Sequence, residues 1–205
     1  MRSKQLLLAL ATALLPYHAL AQSTVPEDIL VTAVQLQDEA GDLPLSWASV
    51  DAEAVAFTGA VHINELMQQI PGAWINRANG QESLTSLRSP VFTGAGSCGA
   101  FFVAADNISL RAPGFCNVNQ LFDTNTEQAG RIEVIKGPPT ALYGSNAMHG
   151  VINVLSAAPT ETQDSNLALE AGPYDYYRAK FHYRNTFGAH GVSLNVNGST
   201  DGGYK

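Results

Sequence analysis

Arg131-Ile132-Glu133-Val134-Ile135-Lys136-Gly137-Pro138, then Ala141-Leu142-Tyr143-Gly144-Ser145 and Gly150-Val151-Ile152-Asn153-Val154-Leu155, is the stretch whose reading decides the fold. Residues 131–136 alternate apolar with charged side chains, the period of a strand with unlike faces. Residues 151–155 form a short β-branched run suited to a buried strand. Between them Gly137 precedes Pro138 and Pro139, where the backbone must turn sharply, and Gly144 and Gly150 bracket the return. Glycine permits dihedrals that other residues resist, so a structural role is sufficient for all of these. A phosphate-binding loop is a poor fit, because the stretch lacks a Gly-Lys-Ser or Gly-Lys-Thr ending and contains two prolines.

Upstream, Phe101 to Ile108 reads as another buried strand ending in a turn at Asp106-Asn107. Ile63, Leu66, Met67 and Ile70 fall on one helical face, and Pro71-Gly72 then stops the helix. Ala73-Trp74-Ile75-Asn76 follows, and the glycine- and serine-rich passage 79–99 predicts loops joining short strands. Strands separated by short helical pieces indicate a small α+β domain over 45–159. Past Thr160 the pattern changes. Leu167 to Glu170, Tyr176 to Phe187 and Val192 to Asn197 alternate at the strand period, with glycine-rich turns between, as membrane barrel strands do. So few strands cannot close a barrel, and residues 160–205 are expected to be an incomplete barrel in a partial chain.

The other direction leads to the chain start. Arg2 and Lys4 precede an apolar run from Leu6 to Leu15, and Ala19-Leu20-Ala21 offers small residues for cleavage before Gln22. Residues 1–21 therefore read as an export signal. A membrane anchor would need about 20 apolar residues, more than this run supplies. Residues 22–53 carry Glu27, Asp28, Asp38, Glu39, Asp42, Asp51 and Glu53 with no lysine or arginine, which keeps a chain extended and solvated. The exported chain is acidic, a poor composition for binding nucleic acid. Within this stretch Ile29 to Val34 forms an apolar β-branched island, a strand waiting for a partner.

Cys98 and Cys116 are the only cysteines, and in an oxidising compartment they are expected to pair. Closing that loop removes unfolded-state entropy worth about 3 kcal/mol in the chain-entropy description. Free thiols in metal or redox work are the alternative, without a CxxC spacing or adjacent histidine to support it. His62, His149, His182 and His190 show no metal-ligand spacing and no nucleophile motif, and Asp38-Glu39 lies outside any pocket. No enzyme and no cofactor is expected.

Residues 131–154 together resemble the closing motif of the plug of TonB-dependent outer-membrane receptors. Ile63 to Gly72 looks like the family's helix ending in Pro-Gly, and Asp28-Ile29-Leu30-Val31-Thr32-Ala33 resembles its TonB box. Ala104 to Ile108 departs from the family's frequent Val-Asp-Gly-Val, with Asn107 where glycine is common. Asparagine tolerates the left-handed conformation, so the turn is expected to survive.

The resemblance implies a signal peptide (1–21), a flexible periplasmic tail with the TonB box (22–44), a mixed-sheet plug with short helices (45–159) and the first antiparallel strands of a transmembrane barrel (160–205). It implies an outer-membrane receptor whose plug gates energised uptake of an iron-siderophore, cobalamin, carbohydrate or other scarce solute. The partners it implies are TonB, joined by strand addition at residues 28–33, the surrounding barrel and a small-molecule ligand. Plug loops around Arg88, Ser97, Arg111 and Asn117 are the candidate ligand-facing positions. Arg88 and Arg111 are suited to an anionic ligand, although an arginine in a loop is more often a barrel-wall or surface salt-bridge partner. A stand-alone periplasmic binding module on the plug fold is the alternative, and it would end near Pro159.

Overall fold

The computed structural model describes residues 30–31, 38–39, 45–77, 83–90, 100–110 and 124–203. Two short strands come first, β1 (Leu30–Val31) and β2 (Asp38–Glu39), paired antiparallel with Leu30 opposite Glu39 and Val31 opposite Asp38. Strand β3 (Ser46–Asp51) runs directly into helix α1 (Ala52–Thr58). The joint is set by Asp51, whose Oδ1 accepts from Ala54 N at 2.8 Å and so satisfies an amide that the helix leaves open. Two members of the acidic tail composition, Asp51 and Glu53, thus belong to a strand end and a helix. Local capping outweighs the solvated tendency there.

Helix α2 (Ile63–Met67) buries Ile63, Leu66 and Met67 as the apolar spacing predicts, but it is shorter than the pattern. Beyond Met67 the backbone tightens into turns, with Gln69 N donating to Leu66 O and Ile70 N to Met67 O, and Ile70 stays buried. The following Gly72 sits at a φ of 79°. Strands β4 (Ala73–Arg77) and β5 (Ser83–Leu87) pair antiparallel as a separate two-stranded sheet.

Strands β6 (Phe101–Ala105) and β7 (Ile108–Ser109) form a hairpin whose turn residues Asp106 and Asn107 have φ of 49° and 66°. Both central residues at positive φ is the turn that matches strand twist. Strand β8 (Ala129–Lys136) follows, then helix α3 (Thr140–Tyr143) and strand β9 (Gly150–Ser156). The main sheet has the order β3-β8-β9-β6-β7, antiparallel at β3/β8 and β8/β9 but parallel at β6/β9. Its interior is Ile132, Val134 and Ile152 against Ile63, Leu66, Met67 and Leu87. Gly150 marks a tight approach: a Cβ there would lie 2.5 Å from both Ile135 O and Leu87 Cδ1.

Strands β10 (Asp164–Gly172), β11 (Tyr176–Phe187) and β12 (His190–Thr200) form an antiparallel meander. Its alternation separates two faces. Leu167 and Leu169 of β10, Tyr177 and Phe181 of β11, and Leu194 and Val196 of β12 are exposed outward. On the other face Arg178 is buried and Lys180, His182 and Arg184 are half-buried against the first domain. Among the described residues no helix is long and apolar enough to cross a membrane, which leaves strand-borne crossing open.

Candidate functional site: the seam between plug and wall

The inward face of the meander is basic because the strand period places Arg178, Lys180, His182 and Arg184 on one side. Each of these side chains meets a carboxylate. Arg178 Nε and Nη2 donate to Glu170 Oε2 and Oε1 at 2.8 and 2.9 Å, a bidentate fork that holds the guanidinium rigidly across the β10–β11 pair. Lys180 Nζ lies 3.2 Å from the same carboxylate. One step along, His182 and Arg184 approach Asp164 at 3.3 and 3.6 Å.

Arg178 also reaches out of its own sheet. Its Nη1 donates to Gly59 O at 3.0 Å and lies 3.7 Å from Glu127 Oε2. Gly59 closes α1 at a φ of 60°, its amide donating to Val55 O, so its own carbonyl is a free acceptor at the helix end. Glu127 stands in the single turn Thr126–Gln128 that leads into β8. Burial pushes its carboxyl above the ordinary glutamate value, opposed by the nearby charges of Arg178 and Lys180. The neighbouring Gln128 Nε2 donates to Val196 O at 2.9 Å on β12. A cavity of about 240 Å³ lies beside these contacts, with Ala52, Val55 and Ala56 of α1 facing Lys180, His182 and Arg184. Small side chains and charged heads leave room between the two layers here.

A second polar connection braces the domain itself. Lys136 is buried at the end of β8 and its Nζ donates to Pro71 O at 3.2 Å, which ties the α2–β4 turn to the main sheet. Burial, then the charge of Arg88, lowers its pKa from the usual lysine value. Burial likewise pushes the Tyr143 phenol up to about 12. Neither group has the surroundings of a proton-transfer pair, and among the described residues no cluster of His, Cys, Asp and Glu is placed to hold a metal.

Of the positions singled out in the sequence, Leu30 and Val31 lie in β1, paired with Asp38 and Glu39. Arg88 is exposed just past β5, at a φ of 52°, with its amide donating to Gly72 O at 2.8 Å and its side chain lying along Gly72. Asp28, Ile29, Thr32, Ala33, Ser97, Cys98, Arg111, Cys116 and Asn117 lie outside the described residues. The seam residues Arg178, Glu170, Glu127 and Gln128 were not singled out from sequence. A signal for them exists: a strand reading Tyr-Arg-Ala-Lys-Phe-His-Tyr-Arg over 177–184 sends four basic side chains to one face, which needs an acidic counterpart.

Comparison with known proteins places this arrangement. The family described as TonB-dependent Receptor Plug Domain matches residues 39–151. The vitamin B12 transporter BtuB of Vibrio cholerae is 29% identical over 180 residues, covering 86% of this chain and 28% of that protein. BtuB of Vibrio vulnificus is 28% identical over 195 residues, covering 94% and 31%. The chain therefore spans under a third of the length of these curated relatives. Among solved structures, the ferric yersiniabactin uptake receptor FyuA of Yersinia pestis superposes with a TM-score of 0.60 at 24% identity, covering 75% of this chain and 24% of that one. The receptor in the FpvAI–pyocin S2 complex gives a TM-score of 0.67 at 20% identity, covering 83% and 22%. Both share the fold of a mixed-sheet plug joined to barrel strands. With more than half of its residues matched by one family, the chain belongs to the TonB-dependent receptor plug-domain family.

Proposed function

We propose that this chain is the coupling and gating front of an outer-membrane receptor that takes up a scarce solute with energy delivered through TonB. The plug sits in the lumen of a barrel of about 22 strands, in the outer membrane of a Gram-negative bacterium, with its tail in the periplasm. The observation that carries this reading is the seating of the plug on the polar face of strands whose opposite face is apolar and exposed, through Arg178. Such two-faced strands suit a wall between lipid and a polar lumen. The proposed divisions are an export signal (1–21), a periplasmic tail (22–44), the plug (45–159) and the first wall strands (160–205).

Residues 28–33 are the proposed contact with TonB. Strand addition takes its affinity from main-chain hydrogen bonds, and the extended backbone of Leu30 and Val31 supports that use. Cys98 and Cys116 are proposed as a disulfide that staples a plug loop, and Arg88, Ser97, Arg111 and Asn117 as positions facing the ligand. No catalytic step is assigned, since the seam's arginines and lysine are paired with Glu170 and Asp164.

The ligand is a cobalamin, an iron-siderophore, a carbohydrate or another scarce solute; similar proteins are named for vitamin B12 and for ferric yersiniabactin. The test is uptake and binding in the complete receptor against cobalamin, a ferric-siderophore panel and oligosaccharides. Replacing Leu30 or Val31 with proline is expected to abolish energised uptake while ligand binding persists, because proline removes a donor from the added strand. Uptake at the normal rate in that variant overturns the coupling assignment.

A further inference from the structure

A load applied to the tail enters the folded plug at Ser46, the first residue of β3. Among the described residues this strand is an edge, hydrogen-bonded to β8 alone, and its Ser46–Lys136 rung is the one nearest the tail. Edge rungs have no second neighbour to share a load. Behind β3, helix α1 is short and contributes one buried side chain, Val55, to the core, and its last residue Thr58 accepts at Oγ1 from Gln69 Nε2 at 2.6 Å, just beside Gly59.

The next residue is different. Gly59 O receives the 3.0 Å hydrogen bond from Arg178 Nη1. Arg178 is itself immobilised by the two bonds to Glu170, and its strand is bonded along both edges by β10 and β12. Force arriving at Gly59 therefore passes into the wall. Immediately after it come Ala60, Ile63, Leu66 and Met67, all buried in the core.

We propose that Arg178 is a positioning residue that acts as a stop, limiting how far the plug is drawn out from its tail: residues 46–58 come away first, and the chain from Gly59 onward stays on the wall. The proposal rests on the coupling reading only for the identity of the natural puller.

The test is single-molecule pulling on the N-terminal tail of the complete receptor held in a bilayer, which needs no TonB. The first resisted step is expected to release residues 46–58, about 45 Å of chain at about 3.5 Å per residue. Arg178→Met is expected to lose that stop, so that the first step runs on into the α2 core and lengthens. The proposal is overturned if R178M gives the same step length and force as the parent, or if the parent releases the whole plug in one step.

Should R178M fail to assemble, the parent still decides through two conservative cysteine variants, Val55→Cys and Ala60→Cys, both at buried positions. Under tension on the tail, V55C is expected to become reactive to a maleimide while A60C stays protected. Equal labelling of both, or of neither, overturns the stop. Because tension is applied by hand, these outcomes are independent of the proline test at Leu30 and Val31, which judges coupling alone.

Discussion

Asn153 and Asn107 satisfy one another in both directions: Asn153 Nδ2 donates to Asn107 Oδ1 at 2.9 Å, and the Asn107 amide donates to Asn153 Oδ1 at 3.1 Å. The pair lies at the hairpin turn between β6 and β7, and Asn153 is buried within β9. Asn153→Leu removes the buried polar partner and leaves the exposed Asn107 to water, and is expected to cost less than the loss of Asn107's side chain. Asn107→Gly keeps the positive φ at little backbone cost but leaves the buried Asn153 Nδ2 without its acceptor, and is expected to cost about 1–3 kcal/mol. Urea unfolding of the refolded receptor, followed by tryptophan fluorescence, checks the order of the two.

Two glycines make opposite demands. Gly150→Ala forces a methyl group to 2.5 Å from Ile135 O and Leu87 Cδ1, and overpacking of that kind is expected to destabilise by about 1–3 kcal/mol. Gly198→Ala meets nothing within 4 Å and is expected to be nearly neutral. Comparing the urea midpoints of the two variants tests whether close approach is what requires glycine at 150.

His62 caps α2 through Nδ1, which accepts from Asn64 N at 3.2 Å. Burial lowers its pKa below the ordinary 6.5, reinforced by Arg77 and opposed by Asn64 and Glu65. The unfolded chain therefore takes up the proton first as pH falls. The stabilising contribution is complete above pH 6.5 and declines as pH drops from there through the folded value. Urea midpoints at a series of pH values from 7.5 downward are expected to fall, and His62→Asn, which retains a capping side chain, is expected to flatten that part of the profile. An unchanged slope in H62N would place the titration elsewhere.

The outward face of the meander supplies a fourth expectation. Leu169 is 74% exposed on β10. Leu169→Arg puts a charge toward the hydrocarbon and is expected to cost about 2–4 kcal/mol near the bilayer midplane. The inward neighbour Ala168 borders the seam cavity, and Ala168→Ser is expected to be tolerated. Heat-modifiable mobility of the assembled receptor on gels reads both.

What was legible in the sequence was what repeats locally. The alternation of 131–136, the β-branched run at 151–155 and the period of 176–187 all emerge as strands, because a half-buried or two-faced strand writes its surroundings into every second residue. The apolar face at Ile63, Leu66, Met67 and Ile70 was equally plain, although the α-helix ends at Met67. Strand β3 was less so, since Trp47 and Val50 are not in phase and its pairing with β8 bridges residues far along the chain. The seam is the extreme case. Arg178 is separated from Gly59 by 119 positions, and no local period can announce that a barrel arginine will find a helix-ending carbonyl.

The alternation of β11 has one more consequence, for changes of length. Tyr177 and Phe181 face outward while Arg178 and Lys180 face the plug, so the strand is addressed to two environments in a strict two-residue frame. Inserting a single residue after Tyr176 would turn the whole run inside out, sending the guanidinium toward lipid and the aromatic rings into the seam. Inserting two would restore the frame and shift only the height at which the wall meets the plug. In this strand, lengths of chain are interchangeable only in pairs.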